Sequence, residues 1–169
     1  MTEILVAGAT GLLGSRICRS LVSAQQPVRA LVRPGSEERL GDLRGRVEIV
    51  HGDLRDRASL DRACRGVQVV VSGVTAILSE DPNLIDAVDH DGNLALIEAA
   101  ADAGVERFVF VSIASDIQGD YPLGRAKRGA EQALGTSGLA HVIVQPGCFM
   151  EVWLGPILGL GRAVAASSR

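Results

Sequence analysis

Gly8, Gly11 and Gly14, set in the stretch Gly-Ala-Thr-Gly-Leu-Leu-Gly, are the residues of this chain best suited to hold a ligand. They follow directly on the short apolar run Ile4 to Ala7 and open a segment of helical period, Leu12 to Val22. Glycine lets the chain turn sharply and lets backbone amides approach an anion, while the unpaired N–H groups of a helix N-terminus add donors and a partial positive charge. A diphosphate is the anion such a turn suits, so Gly8, Thr10, Gly11, Leu12, Leu13 and Gly14 are read as a phosphate cradle. Its place between a strand and a helix separates this spacing from a chance run of glycines. The alternative is a tight strand-to-helix turn with no ligand. About twenty residues on, at the end of the second strand, an acidic residue would bind an adenosine ribose 2′-hydroxyl and an arginine a 2′-phosphate. Arg33 stands there, which selects NADP, with NAD as the alternative cofactor. Arg29 and Arg39 are near enough in sequence to assist, and a solvent-facing arginine at a strand end is the plainer reading of Arg33.

The elements that must position these groups are legible as short apolar runs. Ile4 to Ala7, Val28 to Val32, Val47 to Val50, Val67 to Val71, Phe108 to Val111 and Val142 to Val144 read as six strands. They are continuous apolar runs, as a parallel sheet covered by helices on both faces requires. Helical segments fall between them: Leu12 to Val22, Ala58 to Cys64, Asn83 to Ala103 with Gly104 as its C-terminal cap, and Gly124 to Leu134. Strand and helix alternating in this way predict an α/β fold, a doubly wound parallel sheet of the Rossmann type in the order 3-2-1-4-5-6. Residues 1–150 are read as the nucleotide-binding domain and residues 151–169, apolar but broken by glycine, as a short tail.

Composition narrows the function classes. Of the 169 residues, 47% are hydrophobic, 22% charged and only 3% aromatic, the balance of an aliphatic α/β domain. A net charge of −3 and the absence of a basic run interleaved with aromatics argue against nucleic acid as a partner. No stretch is apolar enough to span a membrane, and no basic, apolar leader opens the chain. Cys18, Cys64 and Cys148 are odd in number and widely spaced, which reads as buried reduced thiols in a cytoplasmic protein. His51, His90 and His141 have no ligand-like spacing, so no metal site is expected.

Several further motifs lie in order along the chain: His51-Gly-Asp-Leu54, Val71-Ser-Gly-Val74, Ala99-Ala-Ala-Asp-Ala-Gly-Val105, Phe108-Val-Phe-Val-Ser112, and Gln145-Pro-Gly-Cys-Phe-Met-Glu151. Together with the glycine turn they resemble the NmrA-like, atypical short-chain dehydrogenase/reductases, over most of the length from Ile4 to about Trp153. The resemblance implies that Asp53 accepts from the adenine amino group and Leu54 packs on its ring. It implies that Ser72, Gly73 and Val74 line the dinucleotide, with Pro146, Gly147, Cys148 and Phe149 completing the contacts. Lys127 would be the active-site lysine that holds the nicotinamide ribose hydroxyls, and Ser112 the active-site hydroxyl. Asp53 as a turn cap, Lys127 as a solvated surface lysine and Ser112 as a mere strand end remain open.

Two departures bear on activity. The family's usual tyrosine, four residues before the lysine, protonates the substrate oxygen as hydride arrives. Position 123 is leucine, and Tyr121, followed by Pro122, is out of step with that helix face. Gln145 also stands where many relatives have arginine. Relatives continue into a smaller C-terminal region that closes over the nicotinamide, and here that region is expected to be truncated. Substrate positioning would then be incomplete, and Phe149, Met150, Trp153 and Leu154 would seek a second copy or another subunit. The reading is an NADP-dependent oxidoreductase moving hydride to a small carbonyl or quinone-like substrate. Its rival is a non-catalytic NADP-binding redox sensor or assembly module.

Overall fold

The computed structural model describes residues 3–81, 83–116, 120–147 and Phe149. Its strands are β1 (Ile4–Ala7), β2 (Val28–Val32), β3 (Glu48–His51), β4 (Val69–Ser72), β5 (Arg107–Val111) and β6 (His141–Val144). Four α-helices accompany them: α1 (Leu12–Ser23), α2 (Arg57–Cys64), α3 (Asn93–Asp102) and α4 (Pro122–Thr136). A 3-10 segment spans Glu37–Leu43 and a π-helical segment Ile85–Gly92. The strands form one parallel sheet in the order β3-β2-β1-β4-β5-β6, the doubly wound order expected. The tail expectation for residues 151–169 lies outside the described residues. No helix among those described is long and apolar enough to cross a membrane.

β1 is central because nothing in Ile-Leu-Val-Ala needs water: all four side chains are buried. Successive side chains point to opposite faces of a strand, so Leu5 and Ala7 join Leu60, Leu96, Phe108 and Phe110 in one layer. Ile4 and Val6 join Cys18, Val28, Leu40 and Leu43 in the other. Each such aliphatic side chain contributes about 1.5 to 3 kcal/mol relative to exposure. The outer strands β3 and β6 are more polar or more exposed. The two layers are unequal. Among the described residues, the β4-β5-β6 half of the α1 side is left as an open apolar groove of about 530 Å³ between Ile17, Val69, Val109, Val144 and Phe149.

The helix expected from Asn83 to Ala103 is not a single regular one. Its first half widens into a π-turn, and the Asn93 side-chain amide donates to the carbonyls of Val88 at 3.2 Å and Asp89 at 3.1 Å. That amide satisfies backbone acceptors where a straight helix would need its own N–H groups. Helix α4 begins at Pro122 instead of Gly124, since a proline at the first helical position forfeits no hydrogen bond. Cys18 and Cys64 are buried and unpaired, and burial pushes both thiols up to about 11. Cys148 lies outside the described residues.

Among the described glycines, the one with least room for a side chain lies where α1 leaves the glycine turn. A Cβ on Gly14 would stand 2.0 Å from the Gly8 carbonyl oxygen, so α1 seats on the turn only with glycine there. We expect Gly14→Ala to destabilise the chain by about 2 to 3 kcal/mol in urea unfolding, because helix and turn must part to admit a methyl group. Wild-type stability would contradict this account of the turn.

Candidate functional site

Gly8 adopts a φ of +85°, and a Cβ there would meet the Gly73 carbonyl group at 3.3 Å and the Val74 side chain. The turn therefore lies directly against the end of β4, bringing Ser72, Gly73 and Val74 beside Gly8. The Gly11 N–H donates to the Gly8 carbonyl at 2.9 Å, and the first helical bond runs from Ser15 N–H back to Gly11 at 3.0 Å. Leu12, Leu13 and Gly14 thus have no carbonyl four residues back, and Gly11 has no side chain to cap them. Their amides, with Thr10 half-buried beside them, can take an anion at the carboxyl edge of the sheet.

Arg33 is exposed at the end of β2, close enough to Asp53 for its charge to favour the ionised carboxylate. Asp53 does more locally than cap a turn. Its Oδ1 accepts from both the N–H and Nε of Arg55 at 2.9 Å, and Oδ2 from the same guanidinium at 2.8 Å. That paired guanidinium holds the carboxyl down at about 2. Leu54 is only 7% exposed and sits against Gly92, where a Cβ would come within 2.8 Å of it. Arg29 is not part of this edge. Being second in β2, it lies at the strand's amino end, paired with Glu3 at 2.9 Å and Glu48 at 3.0 Å and donating to the Ala63 and Arg65 carbonyls.

Lys127 is no surface lysine: its side chain is 3% exposed. Pro122 starts α4 early enough to place it one turn inside the helix, facing β4 and β5. Nζ donates to the Val74 carbonyl at 2.7 Å, lies 3.0 Å from Asp89 Oδ1, and stands 5.2 Å from the centre of the Phe110 ring. Burial lowers its pKa, and the Asp89 carboxylate opposes that fall. Leu123, at the place of the family's tyrosine, is buried. Tyr121 caps the helix in extended conformation with its ring over Gly124, away from that position.

Ser112 is buried at the end of β5, its Oγ without a well-formed hydrogen bond. It faces the Glu131 carboxylate: burial opposes ionisation of that group, and Ser112, Gln145 and Arg128 together outweigh it and hold the pKa low. Gln145 reaches Glu131 at 3.0 Å, and Arg128 ties the Ile113 and Ala114 carbonyls to α4. Pro146 accepts from Ala114 N–H at 2.9 Å, Gly147 is exposed, and Phe149 rims the groove on the α1 side of the sheet.

Asp89 and Asn93 are the residues that inspection of motifs misses. Asn93 is fully buried; it accepts from Ser72 Oγ at 2.7 Å and binds the π-turn carbonyls. Asp89 is equally buried and accepts from Ala76 N–H at 2.8 Å. A signal was present: both fall on the four-residue stripe from Ile85 that continues through Leu96, Ile97 and Ala100, where apolar residues belong. No cluster of three metal-binding side chains occurs among the described residues.

A family model described as NAD(P)H-binding matches residues 8–153. The chain belongs to this NAD(P)H-binding family. The match begins at Gly8 and runs across the whole described sheet beyond β1, in agreement with the NmrA-like resemblance and with a reductase-like lineage. The NAD(P)H azoreductase of Xenophilus azovorans is 36% identical over 149 residues, 88% of this chain and 49% of that protein. Photosystem II assembly factor Ycf39 of Cyanophora paradoxa is 36% identical over 154 residues, 90% of this chain and 47% of that one. The chain therefore spans about half the length of these curated relatives. Among solved structures, the triphenylmethane reductase of Citrobacter sp. complexed with NADP(H) is 25% identical with a TM-score of 0.73, covering 89% of this chain and 51% of that one.

The Asp53–Arg55 contact makes a prediction with a definite sign. The folded carboxyl titrates at about 2 against an ordinary 3.8, so its stabilisation is complete above about pH 4 and lost as pH falls toward 2. Arg55 is half exposed, which screens the pair and leaves about 1 kcal/mol. Melting temperatures across that range should fall more steeply for wild type than for Asp53→Asn; parallel curves would refute the contact.

Proposed function

We propose that this chain is an NADP-dependent oxidoreductase that passes hydride to a small carbonyl or quinone-like substrate. The observation that carries the reading is the cation buried beside the glycine turn: Lys127, held between β4 and α4 where the turn meets Gly73. In this reading the amides of Leu12, Leu13 and Gly14 grip the diphosphate. Arg33 accompanies the 2′-phosphate, Asp53 and Leu54 meet the adenine, and Ser72, Gly73 and Val74 line the dinucleotide, with Pro146, Gly147, Cys148 and Phe149 completing the contacts. When bound, NADPH supplies the hydride. The Val74 carbonyl takes one of the three Nζ protons and Asp89 lies alongside as an ion pair, leaving N–H capacity for a nicotinamide ribose hydroxyl. Ser112 offers a buried hydroxyl at the end of β5, facing the Glu131 carboxylate. The unpaired, buried Cys18 and Cys64 support a cytoplasmic setting, and exposed Val142, Val144 and Phe149 support association with a second copy or another subunit.

A second reading, a non-catalytic NADP-binding sensor or assembly module, is favoured by Leu123: with no phenol there, the usual proton donor to a carbonyl oxygen is missing. The assembly-factor relative points the same way.

Calorimetric titration decides the cofactor. NADPH should bind wild type about ten- to a hundredfold more tightly than NADH, and Arg33→Asp should erase the difference. Equal binding of both nucleotides to wild type would remove Arg33 from the site. Turnover of a quinone, aldehyde and azo-compound panel with NADPH should fall at least a hundredfold in Lys127→Ala. Tight NADPH binding without any turnover would establish the second reading.

A further inference from the structure

Lys127 is the only lysine in the chain; every other residue among the 17 lysines and arginines is arginine. It is also buried, opposite a carboxylate that is fully buried. Such a pair is a poor device for stability alone, because desolvating both charges offsets most of their attraction and an apolar pair of equal volume packs as well. Nor does either member have a spare partner. Oδ1 of Asp89 meets Nζ as an ion pair without hydrogen-bond alignment, and no other described group satisfies it. Oδ2 is committed to Ala76 N–H.

Asp89 is itself held on both sides. The π-turn carries it, and Asn93 anchors that turn by binding the Asp89 carbonyl while accepting the Ser72 hydroxyl at the end of β4. The Asp89 carboxylate thus joins the π-turn to the segment leaving β4 at Ala76 and to α4, and Asn93 adds the end of β4. The groups facing Nζ or packed around it leave Asp89 as its sole counter-charge among those described. β5 presents the Phe110 ring, and Val74 a carbonyl. On α4, Arg128 and Glu131 are paired with each other, Arg128 also donates to the Ile113 and Ala114 carbonyls, and Glu131 accepts from Gln145. His90 of the π-turn packs over Gly129 and is paired with Asp91.

We propose that Asp89 is the positioning residue of this site. It holds Lys127 protonated, in one place, against the segment that leaves β4, so that a nucleotide meets a preset cation. The inference rests on the reading that Lys127 faces the nucleotide. Asp89 is a positioning residue and not a catalytic one, since it acts through the ammonium group.

The single lysine makes the test direct, because a chain labelled with [13Cε]lysine gives one side-chain signal whose pH titration belongs to Lys127. Asp89→Asn keeps an acceptor for Ala76 and removes only the charge. It should move that titration at least one pH unit further below the ordinary lysine value and weaken NADPH binding about tenfold. Asp89→Glu should recover the titration. Lys127→Ala should weaken NADPH binding at least as much, and the double variant should bind no worse than Lys127→Ala alone. A folded Asp89→Asn chain with unchanged lysine titration overturns the proposal, as does an additive double variant. If Lys127→Ala binds NADPH like wild type, the placement of Lys127 against the nucleotide fails; the lysine titration then decides separately whether Asp89 holds the ammonium. Should Asp89→Asn not fold, Asp89→Ser carries the comparison: a lysine titration moved further below the ordinary value together with weaker NADPH binding sustains the proposal, and an unchanged lysine titration overturns it.

Discussion

The arrangement depends on a close crossing of backbones where β1 ends. Gly14 seats α1 on the Gly8 carbonyl, and Gly8, in a left-handed conformation, seats the turn against Gly73. Side chains at these points would separate helix from sheet and β1 from the end of β4. With glycine there, three uncapped amides, the exit of β4 and the entrance to a crevice converge at one edge. Burial of β1 on both faces then fixes that edge relative to the rest of the sheet.

A second constraint is electrostatic. The described core is apolar apart from a few polar side chains, and Ser72, Asp89, Asn93 and Lys127 among them form one connected set. Buried polar groups persist where each finds a partner, and here the partners come from four different elements. The π-turn follows from this: the extra residue in its ring lets Asn93 serve backbone carbonyls and Ser72 at once. Helix geometry, sheet end and lysine rotamer are consequently set together.

Much of this was legible before any coordinates. The continuous apolar runs specify a parallel sheet because both faces need covering, and the glycine spacing after the first run specifies where α1 begins. Strand ends moved by a residue or two, since hydrogen-bond pairing and not hydropathy sets them. The placement of Arg29 at the amino end of β2 is not legible for a positional reason: hydropathy marks the second strand but not the end at which a given side chain emerges. The burial of Lys127 could not be read from Gly-Arg-Ala-Lys-Arg, which has the composition of an exposed helix start; its partner lies 38 residues earlier in sequence. Asp89 and Asn93 were readable in principle, as polar intrusions on an apolar stripe, but only the three-dimensional pairing gives the intrusion a purpose.

The seclusion of the sole lysine leaves the exterior with no ε-amine. Acetyl transfer, carbamylation and amine cross-linkers find no side-chain target on this surface, whose permanent positive charge is carried by planar, delocalised guanidinium groups. Such a surface engages carboxylates through paired parallel contacts, as Arg55 does with Asp53, or bridges several of them, as Arg57 does with Asp61, Glu98 and Asp102 between α2 and α3. The charge of those guanidinium groups stays constant across any pH at which the fold survives, and the one side-chain amine able to lose its proton is buried against Asp89.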